Sequence, residues 1–388
     1  MAGLTSALTI DELMRRARRR VPKMFFDYAD SGSWTESTYR ANEADFREIL
    51  LRQRIAVNME GRTLATTMLG QEIAMPVALA PTGLTGMQSA DGEIKAARAA
   101  AKAGIPFTLS TMSICSIEDV AGNSDTPFWF QLYVMRDREF IERLIDRAKA
   151  AKCSALVLTM DLQILGQRHK DVRNGLSAPP KFTPKHVWQV ATRPFWALEM
   201  LGTKRRGFRN IQGHVKGAAD LGSLSQWTAS QFDPRLNWGD VGWVKDRFGG
   251  PVIVKGVLDA EDAELAVKAG ADGVIVSNHG GRQLDSAPSS IRVLPEIVER
   301  VGRRTEVYLD GGIRSGQDVF KALALGARST FIGRAFLYGL GAGGEAGVTR
   351  ALDIIRKELD LTMAFCGERD IRNAGTHNVY SNGLAKGR

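Results

Sequence analysis

Short apolar runs that end in polar or glycine residues recur along this chain from about residue 75. Each is followed by a segment with helical spacing. The runs are 76–80, 107–109, 128–134, 155–160, 252–254, 273–276, 307–309 and 330–332; their length and β-branched content favour strands. The intervening segments Asp91 to Lys102, Asp137 to Lys152, Glu261 to Lys268, Ser289 to Val301 and Gln317 to Leu325 predict helices. This alternation implies a parallel α/β sheet, and eight repeats imply closure into a TIM (β/α)8 barrel over about residues 75–360. One domain spanning 1–388 is expected, with an N-terminal helical extension covering one barrel end and a long loop insertion after strand 4, about 178–235. Thr9 and Glu12 have capping-box spacing at the start of one N-terminal helix, and Pro22 limits its end. No Gly-x-Gly-x-x-Gly follows the first strand, which counts against a nicotinamide Rossmann domain.

Chemistry in such a barrel gathers where the strands end. The predicted ends present Pro81-Thr82-Gly83, Ser110-Thr111, Gln131 with Tyr133, Thr159 with Asp161, Lys255, Ser277 with His279, Asp310, and Gly333-Arg334. The richest stretch is Ser277-Asn278-His279-Gly280-Gly281-Arg282-Gln283-Leu284-Asp285. Its histidine can act as a base near neutral pH, and its arginine can bind a carboxylate through two parallel hydrogen bonds. A lone histidine is more often a core residue; the other strand ends favour a site here. Asp161 can orient an imidazole, and Arg168 with Arg282 can clamp a small carboxylate. Asp310-Gly311-Gly312-Ile313-Arg314 and Gly333-Arg334, on the last two strands, fit a phosphate site built from backbone N–H groups. Lys255 is open between a Schiff base, an anion stabiliser and a structural ion pair.

Composition narrows the class. Cys115, Cys153 and Cys366 are scattered and odd in number, which argues for a reducing compartment rather than a disulfide framework. Five histidines in no ligand spacing argue against a metal site. No apolar run is long enough for a membrane span, and no secretory signal is evident. The net charge of +9 concentrates in Arg15, Arg16, Arg18, Arg19 and Arg20, and between Lys181 and Lys216. The second cluster is interleaved with Phe182, Trp188, Phe195 and Trp196 and includes Lys204, Arg205, Arg206 and Arg209. Aromatics among basic residues suit a peripheral, non-spanning membrane contact, with a lid or subunit contact as the alternative. No nucleic-acid partner is expected.

Together with Phe26-Asp27-Tyr28-Ala29-Asp30-Ser31-Gly32, these strand-end motifs resemble the FMN-dependent L-2-hydroxy-acid oxidases and dehydrogenases over almost the whole chain. That family includes glycolate oxidase, flavocytochrome b2, mandelate dehydrogenase and the respiratory L-lactate dehydrogenase. The resemblance implies FMN as cofactor, His279 as base and Asp161 as its partner. It implies Arg168 and Arg282 on the substrate carboxylate, with Tyr28 and Tyr133 hydrogen-bonding substrate. Lys255 would sit beside the flavin; Ser110, Gln131, Thr159 and Ser277 would hold its ring. Pro81, Thr82 and Gly83 would line the cofactor, with Asp310, Gly311, Gly312, Arg314, Gly333 and Arg334 taking the ribityl chain and phosphate.

Gly83 and the long insertion resemble the membrane dehydrogenase branch, whereas Met112 replaces a tryptophan of several oxidases. The expected reaction is oxidation of L-lactate to pyruvate with electrons passed to quinone. The alternative is a glycolate- or mandelate-type oxidase releasing peroxide. The resemblance also implies a homotetramer, here on the cytoplasmic side of the inner membrane. An IMP dehydrogenase-type barrel would need a nucleophilic cysteine after strand six, and none is there. A non-catalytic flavin-binding protein would lack base or clamp residues, and all of them are present.

Overall fold

The computed structural model describes residues 2–176, 183–212 and 230–380. Eight parallel strands form one sheet: β1 (Val77–Leu79), β2 (Thr108–Ser110), β3 (Trp129–Tyr133), β4 (Ala155–Thr159), β5 (Val252–Val257), β6 (Gly273–Val276), β7 (Glu306–Asp310) and β8 (Ser329–Ile332). Their order runs β1-β8-β7-β6-β5-β4-β3-β2, and a parallel bridge from Leu79 to Phe107 closes the ring. The TIM barrel is therefore the observed architecture, with each predicted strand in place.

The period of two along each strand divides the core. Leu79, Leu109, Phe130, Leu158, Val254, Val276 and Leu309 face outward into the main helix-packed core. Ala78, Ala80, Trp129, Val157, Ile253, Ile275, Tyr308 and Phe331 fill the barrel interior, plugged from below by Met68 and Ile73 of an antiparallel hairpin. Continuing the inward parity toward the strand ends reaches Ser110, Gln131, Thr159, Lys255, Ser277 and Asp310. The pattern that packs the barrel floor thus also delivers polar groups to its mouth.

The N-terminal helices wrap this mouth. In the helix Ile10–Arg20, Thr9 accepts a hydrogen bond from the Glu12 amide at 3.3 Å, while the Glu12 carboxylate reaches back to the Leu8 amide rather than to Thr9. The helix Lys23–Ala29 carries Tyr28 to the barrel top. The next helix, Ser37–Glu48, is hooked to the loop after β6 by Asp285, which accepts from the Thr35 and Thr38 amides and the Ser37 hydroxyl. Asn42 and Asn278 exchange two amide hydrogen bonds of 2.8 Å beneath it.

Where a long loop was expected after β4, the described part contains two helices, Pro184–Ala191 and Pro194–Gly202, each opening with proline at its first position. Pro179, Pro180, Lys181, Phe182 and Lys216 of the insertion lie outside the described residues. The second helix is fixed inward by Trp196, whose indole N–H donates to the Met87 carbonyl at 2.9 Å and whose ring stacks on Phe25. Its other face leaves Phe195, Leu198 and Leu201 largely exposed. None of the described helices is long and apolar enough to cross a membrane.

Candidate active site

A cavity of about 550 Å³ opens at the carboxyl ends of the strands. Tyr28, Pro81, Thr82, Gly83, Tyr133, Arg168, Lys255, His279, Arg282, Asp310, Gly311, Gly312, Arg314, Gly333 and Arg334 all line it. Asp161, Ser110, Gln131, Thr159 and Ser277 stand behind this wall. Every candidate residue read from the sequence therefore belongs to one mouth, in two layers.

His279 has a left-handed backbone (φ 57°), a conformation uncommon for a residue with a Cβ. Its amide donates to the Ser277 hydroxyl at 3.1 Å, and its Nδ1 lies 2.9 Å from Asp161 Oδ1. Asp161 needs room, which β5 supplies through a bulge at Gly256 with φ 104°; a Cβ there would stand 2.6 Å from the Asp161 Cγ. Burial pushes the imidazole below its ordinary pKa against the opposing pull of Asp161. Burial alone would raise the Asp161 carboxyl, but His279 and Lys255 outweigh it and hold Asp161 below the usual range. A basic imidazole with a fixed tautomer results: Nδ1 is committed to the carboxylate, leaving Nε2 for chemistry.

Lys255 forms a buried trio rather than an isolated amine. Its Nζ lies 2.9 Å from the Ser277 hydroxyl and 3.0 Å from Asp310, and Ser277 donates onward to Asp310 at 2.8 Å. With its amine engaged by a hydroxyl and a carboxylate, Lys255 suits electrostatic work rather than Schiff-base chemistry.

The arginines divide by neighbourhood. Arg282 lies over the Tyr28 ring, 4.7 Å from its centroid, and its Nη1 donates to the Tyr28 carbonyl at 2.5 Å. Burial, with Arg168 beside it, lowers its pKa to about 10. The Arg168 guanidinium lies 5.9 Å from the centroid of the same ring. Arg334 donates to the Ala29 and Ser31 carbonyls and stacks on Tyr39, while Arg314 pairs with Glu43 at 2.8 Å. All four are thus braced by the N-terminal segment. Burial, reinforced by Asp161, raises the Tyr133 phenol, keeping it a proton donor at neutral pH.

Besides the Asp161 Oδ2, two buried atoms in the deep layer have no partner: the Gln131 Nε2 and the Thr159 Oγ1. They sit on adjacent strands, with Ser110 fixing the other end of the Gln131 amide at 2.9 Å. Orphaned polar atoms below a wide cavity fit a flat, polar-edged group bound there. A model for the FMN-dependent dehydrogenase family matches residues 17–381. The chain belongs to the FMN-dependent dehydrogenase family. Its cofactor is FMN, and the orphaned Gln131 and Thr159 atoms, the Lys255 cation and the glycine turns of β7 and β8 suit that group.

The relatives agree. An L-lactate dehydrogenase of Caulobacter vibrioides is 48% identical over 357 residues, covering 92% of this chain and 93% of that one. One from Ectopseudomonas mendocina is 46% identical over 356 residues, covering 92% and 94%. Among solved structures, the monotopic membrane protein (S)-mandelate dehydrogenase is 36% identical, with a TM-score of 0.92 over 97% of this chain and 100% of that one. A mandelate oxidase is 34% identical, with a TM-score of 0.81 over 97% and 99%.

Sequence reasoning missed several cavity residues. Phe208 and Phe232 come from the insertion, and Phe232 meets Tyr133 edge-on at 5.9 Å. A backbone bridge from Met135 to Phe232 sets that contact, and no local signal announces it. Asp171 also lines the cavity; its spacing of three from Arg168 on a short helix was the available signal.

Proposed function

We propose that this enzyme oxidises an L-2-hydroxy acid to the 2-oxo acid, with L-lactate to pyruvate the leading reaction and quinone the acceptor. The observation that carries this reading is that His279, paired with Asp161, lines one cavity together with Arg168 and Arg282. The names of the relatives at 46–48% identity support lactate over other acids.

Arg168 and Arg282 bind the substrate carboxylate, and the hydroxyls of Tyr28 and Tyr133 orient the hydroxyl-bearing carbon. His279 removes a proton through Nε2, and Asp161 stabilises the imidazolium that forms. FMN supplies a two-electron acceptor. Lys255 offsets negative charge that grows beside it. Ser110, Gln131, Thr159 and Ser277 would hold the ring, with Pro81, Thr82 and Gly83 lining its site. Asp310, Gly311, Gly312, Arg314, Gly333 and Arg334 would take the ribityl chain and phosphate. The apolar Met87, Leu162, Leu165, Phe208 and Phe232 keep water from the reacting carbon.

Residues 1–388 form one dehydrogenase domain in this reading, assembled as a homotetramer. The insertion rests on the cytoplasmic face of the inner membrane. Exposed Val187, Trp188, Phe195, Leu198 and Leu201 support the membrane contact, and Arg15, Arg18, Arg19 and Arg193 line a second hollow between the first long helix and the insertion. The structurally similar (S)-mandelate dehydrogenase is a monotopic membrane protein, which supports the same placement.

Anaerobic mixing of the yellow holoenzyme with L-lactate, glycolate and L-mandelate tests the reading. Bleaching fastest with L-lactate, and quinone reduction without peroxide on turnover, is the expected result. Rapid peroxide release would favour the oxidase alternative. No bleaching with any of the three acids overturns the reading altogether.

A further inference from the structure

We infer that Asp171 is the resident counter-ion of the carboxylate clamp, holding one side of Arg168 until an acid anion arrives and limiting the clamp to singly charged acids. The inference rests on the reading of Arg168 and Arg282 as that clamp.

Asp171 is unusual among the cavity residues. It is 9% exposed, yet its Oδ1 has no hydrogen-bond partner. Its Oδ2 stands 3.5 Å from Arg168 Nη1, within ion-pair range but longer than a formed hydrogen bond. Among the described residues, Asp171 is the only carboxylate paired with Arg168. A buried carboxylate with an unused oxygen, loosely paired in a ligand cavity, is a poor structural strut. An unpaired buried acceptor costs stability, so its retention calls for a role.

Charge counting supplies one. Arg168 and Arg282 bring two positive charges, and Asp171 removes one. The remainder matches a single carboxylate. Without Asp171 the clamp would carry an excess charge in a low-dielectric cavity and would bind any anion more tightly, dianions most of all. The other charged groups facing Asp171 are already committed. Lys170 pairs with Glu36 at 3.0 Å, and Asp27 pairs with Lys23 and accepts from Asn174. Burial raises the Asp171 carboxyl above its ordinary value, with Arg282 and Arg168 opposing, as expected of a charge kept near its limit.

The test compares holoenzymes of wild type, Asp171→Asn and Arg168→Met. Flavin absorbance confirms folding, and Asp171→Ser replaces the asparagine variant should that one lose FMN. The readouts are KM for L-lactate, Ki for methanesulfonate as an unreactive monoanion, and turnover of L-malate. In Asp171→Asn, both KM and Ki should fall about tenfold, with L-malate turnover rising relative to L-lactate. A residue that merely orients Arg168 predicts the reverse, so unchanged or raised KM and Ki overturn the proposal. Arg168→Met separates the two levels. If it raises KM while Asp171→Asn fails to lower it, only the counter-ion role falls. If it leaves KM unchanged, the clamp reading falls and takes this proposal with it.

Discussion

His279 and Asp161 meet nitrogen to oxygen at 2.9 Å although 118 residues separate them in sequence. They stand on loops after β6 and β4, with β5 between, and the Gly256 bulge opens the space they share. Replacing His279 by Gln keeps the shape of the site but removes the base. The expected outcome is retained FMN with kcat reduced by about 10²–10⁴-fold, measured by steady-state dye reduction. Wild-type turnover in that variant would refute the assignment.

The same pair fixes a pH dependence. The base works unprotonated, and burial lowers its pKa from the ordinary 6.5. The acid limb of kcat/KM should therefore lie below pH 6.5. Asp161 acts against burial and raises the imidazole, so Asp161→Asn should shift that limb further down while reducing the rate. A pH–rate profile checks both signs; an upward shift in the variant would contradict the geometry.

Gly83 faces Tyr28. A Cβ at Gly83 would stand 2.9 Å from the Tyr28 hydroxyl oxygen and 3.3 Å from the Met112 Cβ. Gly83→Ala should displace that hydroxyl and raise KM for the acid about fivefold, the worth of one hydrogen bond. In a Tyr28→Phe background the added methyl meets no hydroxyl, so the second substitution should cost little. The double-mutant cycle measures this coupling.

Lys255 and Asp310 are a buried pair, their side chains 4% and 12% exposed. Lys255→Met leaves Asp310 uncompensated beside Ser277. Stability of the holoprotein should fall by about 3–5 kcal/mol, read by urea unfolding, with faster flavin loss on gel filtration. An unchanged unfolding midpoint would show that Asp310 finds another partner.

Asp285 ties the first 40 or so residues to the base loop through Thr35, Ser37 and Thr38. Those bonds hold its carboxyl well below the ordinary value despite burial. A depressed carboxyl contributes stability above its unfolded pKa and loses it as pH falls through the folded one. Asp285→Asn should therefore narrow the Tm difference between about pH 7 and about pH 3. A gap as wide as in wild type would locate the acid sensitivity elsewhere.

Much of the barrel and of its mouth was legible because both are written in local repeats. The runs 76–80, 155–160 and 273–276 identify strands by length, and the period of two then assigns Gln131, Thr159, Lys255 and Asp310 to the interior. A strand cannot bury Val157 inward without also turning Thr159 inward, so packing and chemistry share one signal. The serine-to-aspartate stretch from 277 to 285 was legible for the same reason: its residues act within one loop.

What the chain alone could not yield are relationships made by closure of the fold. Arg282 donates to Tyr28 across 254 residues, and Arg334 to Ala29 across 305. Phe232 reaches Tyr133 only because the insertion returns to pair with Met135. Nor does any pattern show that Asp171 is buried with one carboxylate oxygen unpaired. The one-dimensional order specified which groups the barrel would present, since alternation along a strand is a short-range steric matter. Which of them touch, and at what charge, depended on loops of distant origin packing over a shared low-dielectric cavity, where every charge must be balanced by whatever neighbour the fold brings near.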